Sequence, residues 1–443
     1  MELDTLFPSD SSDLDLSFTS CTSNTSTERT FASSSARSSL TLSFNESRLL
    51  HSSPLIHRPH RKSDPHWSYI HAATNLSQDG TLQLPHLKLV RHLGSGNLGR
   101  VFLCRLKDFE GSNFALKVVD RDALTYKKLS HVQMETEILS MVDHPFLPTL
   151  YAHLEVSHYT CMLIDYCSNG DLHALLRKQP GNRFKLNAVR FFASEVLVAL
   201  EYLHAMGVVY RDLKPENVLI RENGHIMLSD FDLCLKADVV PTLETKPVRR
   251  RKKPRFFTCF KSGLTEEEEE SLITEFVAEP VTASSKSCVG THEYLAPELV
   301  NGNGHGNGVD WWAFGVFIYE LLYGRTPFKG ESKECTLRNI VSSSKKFKFQ
   351  ECDMVEEEGM AEVTDLISKL LVKDSRMRLG CVRGATDIKV HPFFKGIKWP
   401  LIRTYKPPEL LNDFTSMSQA ITLAAPAPAL LPPFRSKHAS YQT

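Results

Sequence analysis

A change of hydrophobic period partway along the chain limits its fold most. From about Leu84 the apolar residues come in short β-rich runs, LKLVRHL, RVFLCRL and NFALKVV, punctuated by glycines and Asp-containing turns. That is the pattern of successive strands. Further on they return at helical spacing, at Phe192, Val196, Leu200 and Leu203, and almost all round the helix in DWWAFGVFIYELLYG from Asp310 to Gly324. The last run falls short of the ~20 residues that cross a bilayer, so it predicts a buried core helix. Strands first and helices second imply an α+β chain of two unequal lobes, the small one β-rich and the large one mainly helical.

The stretches around these lobes differ in composition. Residues 1–83 begin with fifty residues of which twenty-one are Ser or Thr, too few of them apolar to form a core, and disorder is expected. A multisite phosphorylation or docking segment and a plain solubilising tail both fit this stretch. The small lobe is assigned to 84–166 and the large lobe to 167–394. Within the large lobe the helical pattern lapses at about 236–279, where RRRKKPRFF (249–257) precedes EEEEE (266–270), and a long inserted loop is expected. The tail, 395–443, contains APAPALLPPF, which cannot be a helix or a central strand.

Lys plus Arg equals Asp plus Glu at 52 each, so no global field recruits nucleic acid, and no nucleic-acid partner is expected. Met1 to Asp10 is acidic without an apolar h-region, and no apolar run is long enough to span a bilayer. An intracellular chain that meets a membrane only at its surface is the expectation. The ten cysteines form no CxxC pair and the eighteen histidines no HExxH, so reduced thiols and no dedicated metal cage are expected.

Three groups of residues carry chemistry. The first is the loop Leu93, Gly94, Ser95, Gly96, Asn97, Leu98, Gly99, Arg100 and Val101 between two strand runs. Its glycines let a backbone lie close over phosphates. It turns back into a strand instead of opening a helix, which favours a lid over nucleotide phosphates. Taken alone, a glycine-rich hairpin with no ligand fits as well. The second is Lys117 in FALKVVD, costly among apolar neighbours unless an anion meets it. Glu135 and Glu137 of QMETEILSMV are the candidates. At ~100° per residue Glu135 falls within the stripe of Met134, Ile138, Met141 and Val142, and Glu137 outside it. A Lys117–Glu135 pair is therefore expected, against the alternative of a lysine snorkelling from an edge strand. The third is Tyr210-Arg211-Asp212-Leu213-Lys214-Pro215-Glu216-Asn217 followed by Ser229-Asp230-Phe231-Asp232. Here Asp212 would orient an acceptor hydroxyl, Lys214 would steady a transferring phosphate, and Asn217 with Asp230 would hold Mg²⁺ between phosphate oxygens.

With GTHEYLAPE (290–298) and DWWAFG (310–315) the series is complete and in order, and it resembles the eukaryotic protein kinases from about Leu87 to Phe394 with one large interruption. HPFLPTL, GDLH, VALEYLH, YRDLKPEN and HPFF are similar to the AGC serine/threonine group. Asp230-Phe231-Asp232 in place of DFG and the long interval before APE look like the plant AGC VIII subgroup. DLDLSFTS, DPHW and KWPLIRTYKPPE look like its WAG-type members, close to PINOID.

The resemblance implies a bilobal protein kinase fold and an ATP- and Mg²⁺-dependent serine/threonine kinase that controls auxin transport, with the hydrophilic loop of PIN auxin efflux carriers as substrate. It implies that Val101 and Ala115 roof the adenine, that Asp165 to Cys167 form the hinge pairing with it, and that Asp171 binds ribose. Arg211 would receive a phosphate on Ser287, Thr291 would bridge Asp212 and Lys214, and Glu298 would pair with Arg378. Asp171, Glu216 and Glu320 match positions that read basic residues upstream of the phosphoacceptor. A monomer is expected, in the cytoplasm and on the cytosolic face of the plasma membrane. Arg249, Arg250, Arg251, Lys252, Lys253 and Arg255 with Phe256 and Phe257 fit contact with anionic phospholipid. They also fit a nuclear localisation signal, or a solvated loop neutralised by Glu266 to Glu270. Two departures stand out. Asp232 replaces a glycine, and SKHASYQT at the end lacks an aromatic FxxF motif, so phosphorylation of Ser287 in cis, or by a kinase independent of that motif, is expected. A pseudokinase scaffold at the plasma membrane is the alternative from another class.

Overall fold

The computed structural model describes residues 59–75, 80–107, 109, 111–247, 272–342 and 358–409. The Ser/Thr-rich stretch 1–58, the cluster Arg249 to Arg255 with Phe256 and Phe257, the run Glu266 to Glu270 and the proline-rich end lie outside the described residues.

Two short helices, α1 (Pro59–Lys62) and α2 (His66–Asn75), precede the small lobe. The lobe itself is an antiparallel sheet of β1 (Leu87–Ser95), β2 (Arg100–Leu106), β3 (Phe114–Asp120), β4 (Leu150–Val156) and β5 (Tyr159–Asp165), in the order β1-β2-β3-β5-β4. Between β3 and β4 the chain makes α3 (Tyr126–Met141), opened by Thr125, whose hydroxyl accepts the Lys128 N–H. Helix α3 turns Val132, Glu135, Ile138 and Leu139 inward. The buried stripe thus runs through Val132 and Leu139 beside Ile138, and Met134 and Met141 only flank it.

The large lobe begins with α4 (Leu172–Lys178) and the twenty-residue α5 (Leu186–Ala205), where Phe192, Val196, Leu200 and Leu203 are all fully buried. Four short strands follow: β6 (Val208–Val209), β7 (Val218–Ile220), β8 (Ile226–Leu228) and β9 (Leu235–Lys236). They pair β6 with β9 and β7 with β8, which holds the loops between them in fixed places. After β10 (Thr242–Pro247), β11 (Leu272–Val277) and α6 (Pro297–Asn301) comes α7 (Gly308–Tyr323), every residue of which is buried. It ends on Gly324 at φ 72°, a left-handed cap that a Cβ would disfavour. The lobe closes with α8 (Lys333–Val341), α9 (Met360–Leu370) and α10 (Ala385–Lys389). Among the described residues no helix is long and apolar enough to cross a membrane.

Two expectations need correction. Residues 59–75, within the stretch expected to be disordered, are helical and bury Arg61, Ile70 and Ala73. The compositional average over 1–83 hides Trp67, Ile70 and Ala73 at three-residue spacing, a local helical face. The ends of the expected inserted loop are also ordered: β10 and β11 form an antiparallel hairpin in the register Leu243↔Phe276 and Glu244↔Glu275. Arg383 fastens its inner face, pairing with Glu244 at 2.7 Å, with Glu275, and with Asp387 at 2.9 Å.

Candidate active site

The small-lobe half of the site is built by strand alternation. In an antiparallel pair, residues opposite one another and residues two apart along a strand share a face. Val101 lies opposite Lys117, and Leu103 opposite Ala115. Lys117 in turn faces Met162, and Ala115 faces Ile164. One face therefore carries Val101, Ala115 and Lys117 together, with Met162 and Ile164, which the sequence motifs did not single out. Lys117 Nζ reaches the Glu135 carboxylate at 2.7 and 2.6 Å and stands 3.8 Å from Asp230. Burial alone would lower the Lys117 pKa, but Glu135 and then Asp230 outweigh it and hold the ammonium above its ordinary value. Glu137 points the other way and pairs with Lys236 at the surface.

The loop from Leu93 to Val101 closes β1 onto β2, with Gly94 opposite Val101, Ser95 opposite Arg100, and the Gly96 N–H donating to the Gly99 carbonyl at 2.9 Å. A Cβ on Gly99 would run into the Val118 carbonyl, so the close approach of loop to strand requires glycine. The Leu98 side chain is buried in the apolar core, while Ser95, Gly96 and Asn97 of the same loop are exposed. At the junction of the lobes, Asp165 accepts the Thr149 N–H at 2.7 Å, and Cys167 packs its thiol 3.6 Å from Met227 Sδ. Burial pushes the Cys167 thiol up to about 12, which leaves it protonated and unreactive. Asp171 caps α4 by accepting the Ala174 N–H at 2.7 Å and bridges to Leu219 on β7.

In the large-lobe half, three side chains converge on Asp212. Lys214 Nζ lies 2.6 Å from its carboxylate, Asn217 Nδ2 2.9 Å, and the Thr291 hydroxyl donates at 3.2 Å. Thr291 also receives Lys214 Nζ at 3.0 Å, so it stands between the two. The Pro215–Asn217 turn brings these residues to one side, and the Ser229 N–H donates to the Asn217 carbonyl at 2.9 Å to tie the next motif to it. Arg211 and Asp230 both adopt positive φ, 67° and 60°. Such backbone strain in non-glycine residues persists only where surrounding contacts impose it. Asp310 supplies part of that constraint, accepting the N–H groups of Tyr210 and Arg211, both at 2.7 Å. Asp232 is buried and is not among the positive-φ residues, so its Cβ is accommodated without strain. Burial, and then Asp230, raise its carboxyl to about 7.

A divalent cation with a nucleotide fits the donors present. Asn217 spends its amide N–H groups on Asp212, which leaves Oδ1 as a hard oxygen donor, and the Asp230 side chain is 42% exposed. Among the described residues no three His, Cys, Asp or Glu side chains converge as a metal cage. Two oxygen donors with phosphate oxygens to complete the shell suit a hard divalent cation.

Ser287 lies on the far side of Arg211. Arg211 donates from Nε to the Leu233 carbonyl at 2.6 Å and from Nη2 to that of Cys234 at 3.1 Å, while Nη1 reaches Ser287 Oγ at 3.0 Å. Arg378, fully buried, holds Glu298 by a fork at 2.7 and 2.9 Å. Of the three acids matched to basic-residue recognition, Glu216 is half exposed. Glu320 is buried and already engaged by the Tyr294 hydroxyl at 2.5 Å and by Arg177 at 3.4 Å.

The protein kinase domain model matches residues 87–247 and 266–394. The interval between these stretches contains the basic cluster. The chain is 65% identical over 416 residues to serine/threonine-protein kinase WAG1 of Arabidopsis thaliana, covering 90% of this chain and 85% of the relative. It is 65% identical over 411 residues to WAG2 of the same plant, covering 90% and 83%. Protein kinase PINOID of Oryza sativa subsp. japonica is 47% identical over 364 residues, covering 79% and 74%.

Proposed function

Because the chain belongs to the protein kinase family and is a protein serine/threonine kinase, we propose that it transfers the γ-phosphate of ATP, with Mg²⁺, to Ser or Thr hydroxyls in the hydrophilic loop of PIN auxin efflux carriers, and so regulates polar auxin transport. The observation that carries the chemistry is the convergence of Lys214, Asn217 and Thr291 on Asp212, with Asp230 of the same lobe standing 3.8 Å from Lys117 of the small-lobe Lys117–Glu135 pair.

The residues divide the work by position. Val101 and Ala115 offer an apolar roof for adenine, the backbone of Asp165 to Cys167 offers hydrogen bonds at its edge, and Asp171 lies near where ribose would be held. Lys117, kept charged by Glu135, meets the phosphates. Asp212 accepts the acceptor hydroxyl and aims its oxygen in line, while Lys214 neutralises charge on the moving phosphoryl group. Thr291 fixes the spacing of that pair. When bound between Asn217 and Asp230, Mg²⁺ would neutralise phosphate charge and clamp the oxygens. A phosphate on Ser287 would receive Arg211 in a charge-assisted bond and order the segment leading to Thr291. Glu216, with its exposed carboxylate, carries the preference for Arg before the target residue. The basic cluster Arg249 to Arg255 holds the enzyme to anionic lipid on the cytosolic face of the plasma membrane. A scaffold without phosphoryl transfer would need none of the catalytic set, which argues against that second reading.

The test is radiolabelled phosphate transfer from Mg-ATP to a PIN loop fragment and to a generic basic protein, with Asp212→Asn and Asp230→Ala as controls. Transfer to the fragment that both substitutions abolish supports the proposal. Transfer to the generic protein alone removes PIN as substrate, and no transfer from Ser287-phosphorylated protein favours the scaffold. Liposome binding unchanged by neutralising the basic cluster would remove the membrane role.

A further inference from the structure

Residues 59–75 precede the span matched as kinase domain, yet they touch the two elements that shape its nucleotide site. Arg61 is 8% exposed, and a cation there must be matched by acceptors. Its Nη2 donates to the Leu139 carbonyl at 2.8 Å and the Val142 carbonyl at 3.0 Å. These carbonyls belong to the C-terminal turn of α3, where a helix leaves acceptors unpaired and its dipole is negative. Asp143, just beyond, accepts the N–H groups of His60 at 3.2 Å and Arg61 at 3.0 Å. The Asp143 N–H donates to the Tyr202 hydroxyl of α5 at 2.9 Å. The exit of α3 is thus held from one side by the large lobe and from the other by residues 60 and 61.

A second tie runs to the hinge. The Tyr151 hydroxyl lies between two carboxylates, 2.5 Å from Asp64 and 3.1 Å from Asp165, the last residue of β5. The rings of Trp67 and Phe114 pack on Tyr151 at 5.3 and 5.1 Å, and that of His66 lies 5.3 Å from Phe114.

We propose that residues 59–75 are an intramolecular brace for the nucleotide site, with Arg61 a positioning residue for the Lys117–Glu135 pair. Glu135 stands four residues, one helical turn, before Leu139, on the same face. Lys117 is fixed by β3 pairing on both sides, so the pair forms only while α3 keeps its axial and rotational place. A rotation by one residue, about 100°, would carry Glu135 off the face. Arg61 holds the end of α3 nearest that glutamate, and Asp64 ties the same segment to Tyr151 of β4, whose hydroxyl also meets Asp165 at the end of β5. Ion pair and hinge are therefore joined through a segment outside the domain span.

The inference rests on the reading that nucleotide binds at Lys117, and the experiment separates the two. Binding of a fluorescent ATP analogue and KM for ATP are measured on the full chain carrying Arg61→Ala, Arg61→Lys, Tyr151→Phe or Lys117→Met, and on Arg61→Ala combined with Glu135→Gln. Arg61→Ala is expected to weaken nucleotide binding and raise KM about tenfold, with kcat changed less than threefold. Lysine should recover part of the loss. Tyr151→Phe, which keeps the ring packing and removes only the hydroxyl, should weaken binding severalfold. In the Glu135→Gln background Arg61→Ala should add nothing. Arg61→Ala binding within twofold of wild type, or an undiminished effect in that background, overturns the brace. If Arg61→Ala does not fold, Tyr151→Phe decides alone, and unchanged binding overturns it. Unchanged binding in Lys117→Met instead overturns the placement of the nucleotide.

Discussion

Replacing Glu298 by glutamine tests how the segment bearing Thr291 is held. Arg378 has no exposed side-chain surface and Glu298 is 14% exposed. The guanidinium has other partners: the Gly308 carbonyl at 2.7 Å, the Val372 carbonyl at 3.0 Å and the Trp312 ring at 5.2 Å. Removing one partner of a buried pair costs about 3–5 kcal/mol because the other charge stays buried. The retained contacts and the surviving amide oxygen place Glu298→Gln at the low end, about 3 kcal/mol. At about 2 °C per kcal/mol for a large domain, the midpoint of thermal unfolding should fall by ~6 °C. Urea titration should show an equivalent loss at unchanged slope. Glu298→Leu with Arg378→Met removes both charges and should recover most of the stability. Thr291 lies in the segment that this pair anchors, whereas Lys117 and Asp230 lie elsewhere, so kcat should drop while KM for ATP holds. A loss under about 1 kcal/mol for Glu298→Gln, or a double variant worse than the single one, would refute the reasoning.

Other expectations follow from single contacts. Ser287→Ala should hold phosphate transfer at the level of unphosphorylated enzyme, whereas phosphorylated wild type should be at least tenfold faster; equal rates at confirmed stoichiometry by intact mass would contradict the Arg211 contact. Gly99→Ala should raise KM for ATP, because its Cβ meets the Val118 carbonyl and lifts the loop; unchanged kinetics would show that the loop yields freely. His204 is buried between Glu279 at 2.7 Å and Asp310 at 2.8 Å. Burial would lower its pKa, but the two carboxylates outweigh this and raise it from 6.5 to about 10. A raised folded-state pKa means stability fully present below pH 6.5 and lost as pH climbs through 10, on the order of 5 kcal/mol in all. Urea midpoints should fall between pH 7 and 10 in wild type and fall less in His204→Asn; parallel profiles would remove His204 as the cause.

The motifs were legible because their chemistry is local. Tyr210 to Asn217 and Ser229 to Asp232 show their donors and spacing within a few residues. The choice of Glu135 over Glu137 follows from helical phase alone. Helix α7 was legible because a run apolar on every side must be buried. The brace was not, since its sequence is short and polar and its partners, Leu139, Val142, Asp143 and Tyr151, are some eighty residues away. The β10–β11 hairpin likewise depends on Arg383, 139 residues from Glu244.

Leu98 and Glu320 show the same division within the site. Their place in a motif says that a loop turns at one and that a helix ends near the other, and periodicity goes no further. Whether Leu98 faces a ligand or the core, and whether Glu320 is open to a substrate or taken by Tyr294, depends on which surfaces the lobes bring against them. Secondary structure and catalytic chemistry were set by the order of residues, because turns, helical phase and neighbouring donors act over a few positions. The facing of side chains, the anchoring of the insertion's stem and the brace on α3 were decided by packing, because burying a charge or an apolar group requires partners that the linear order does not place beside it.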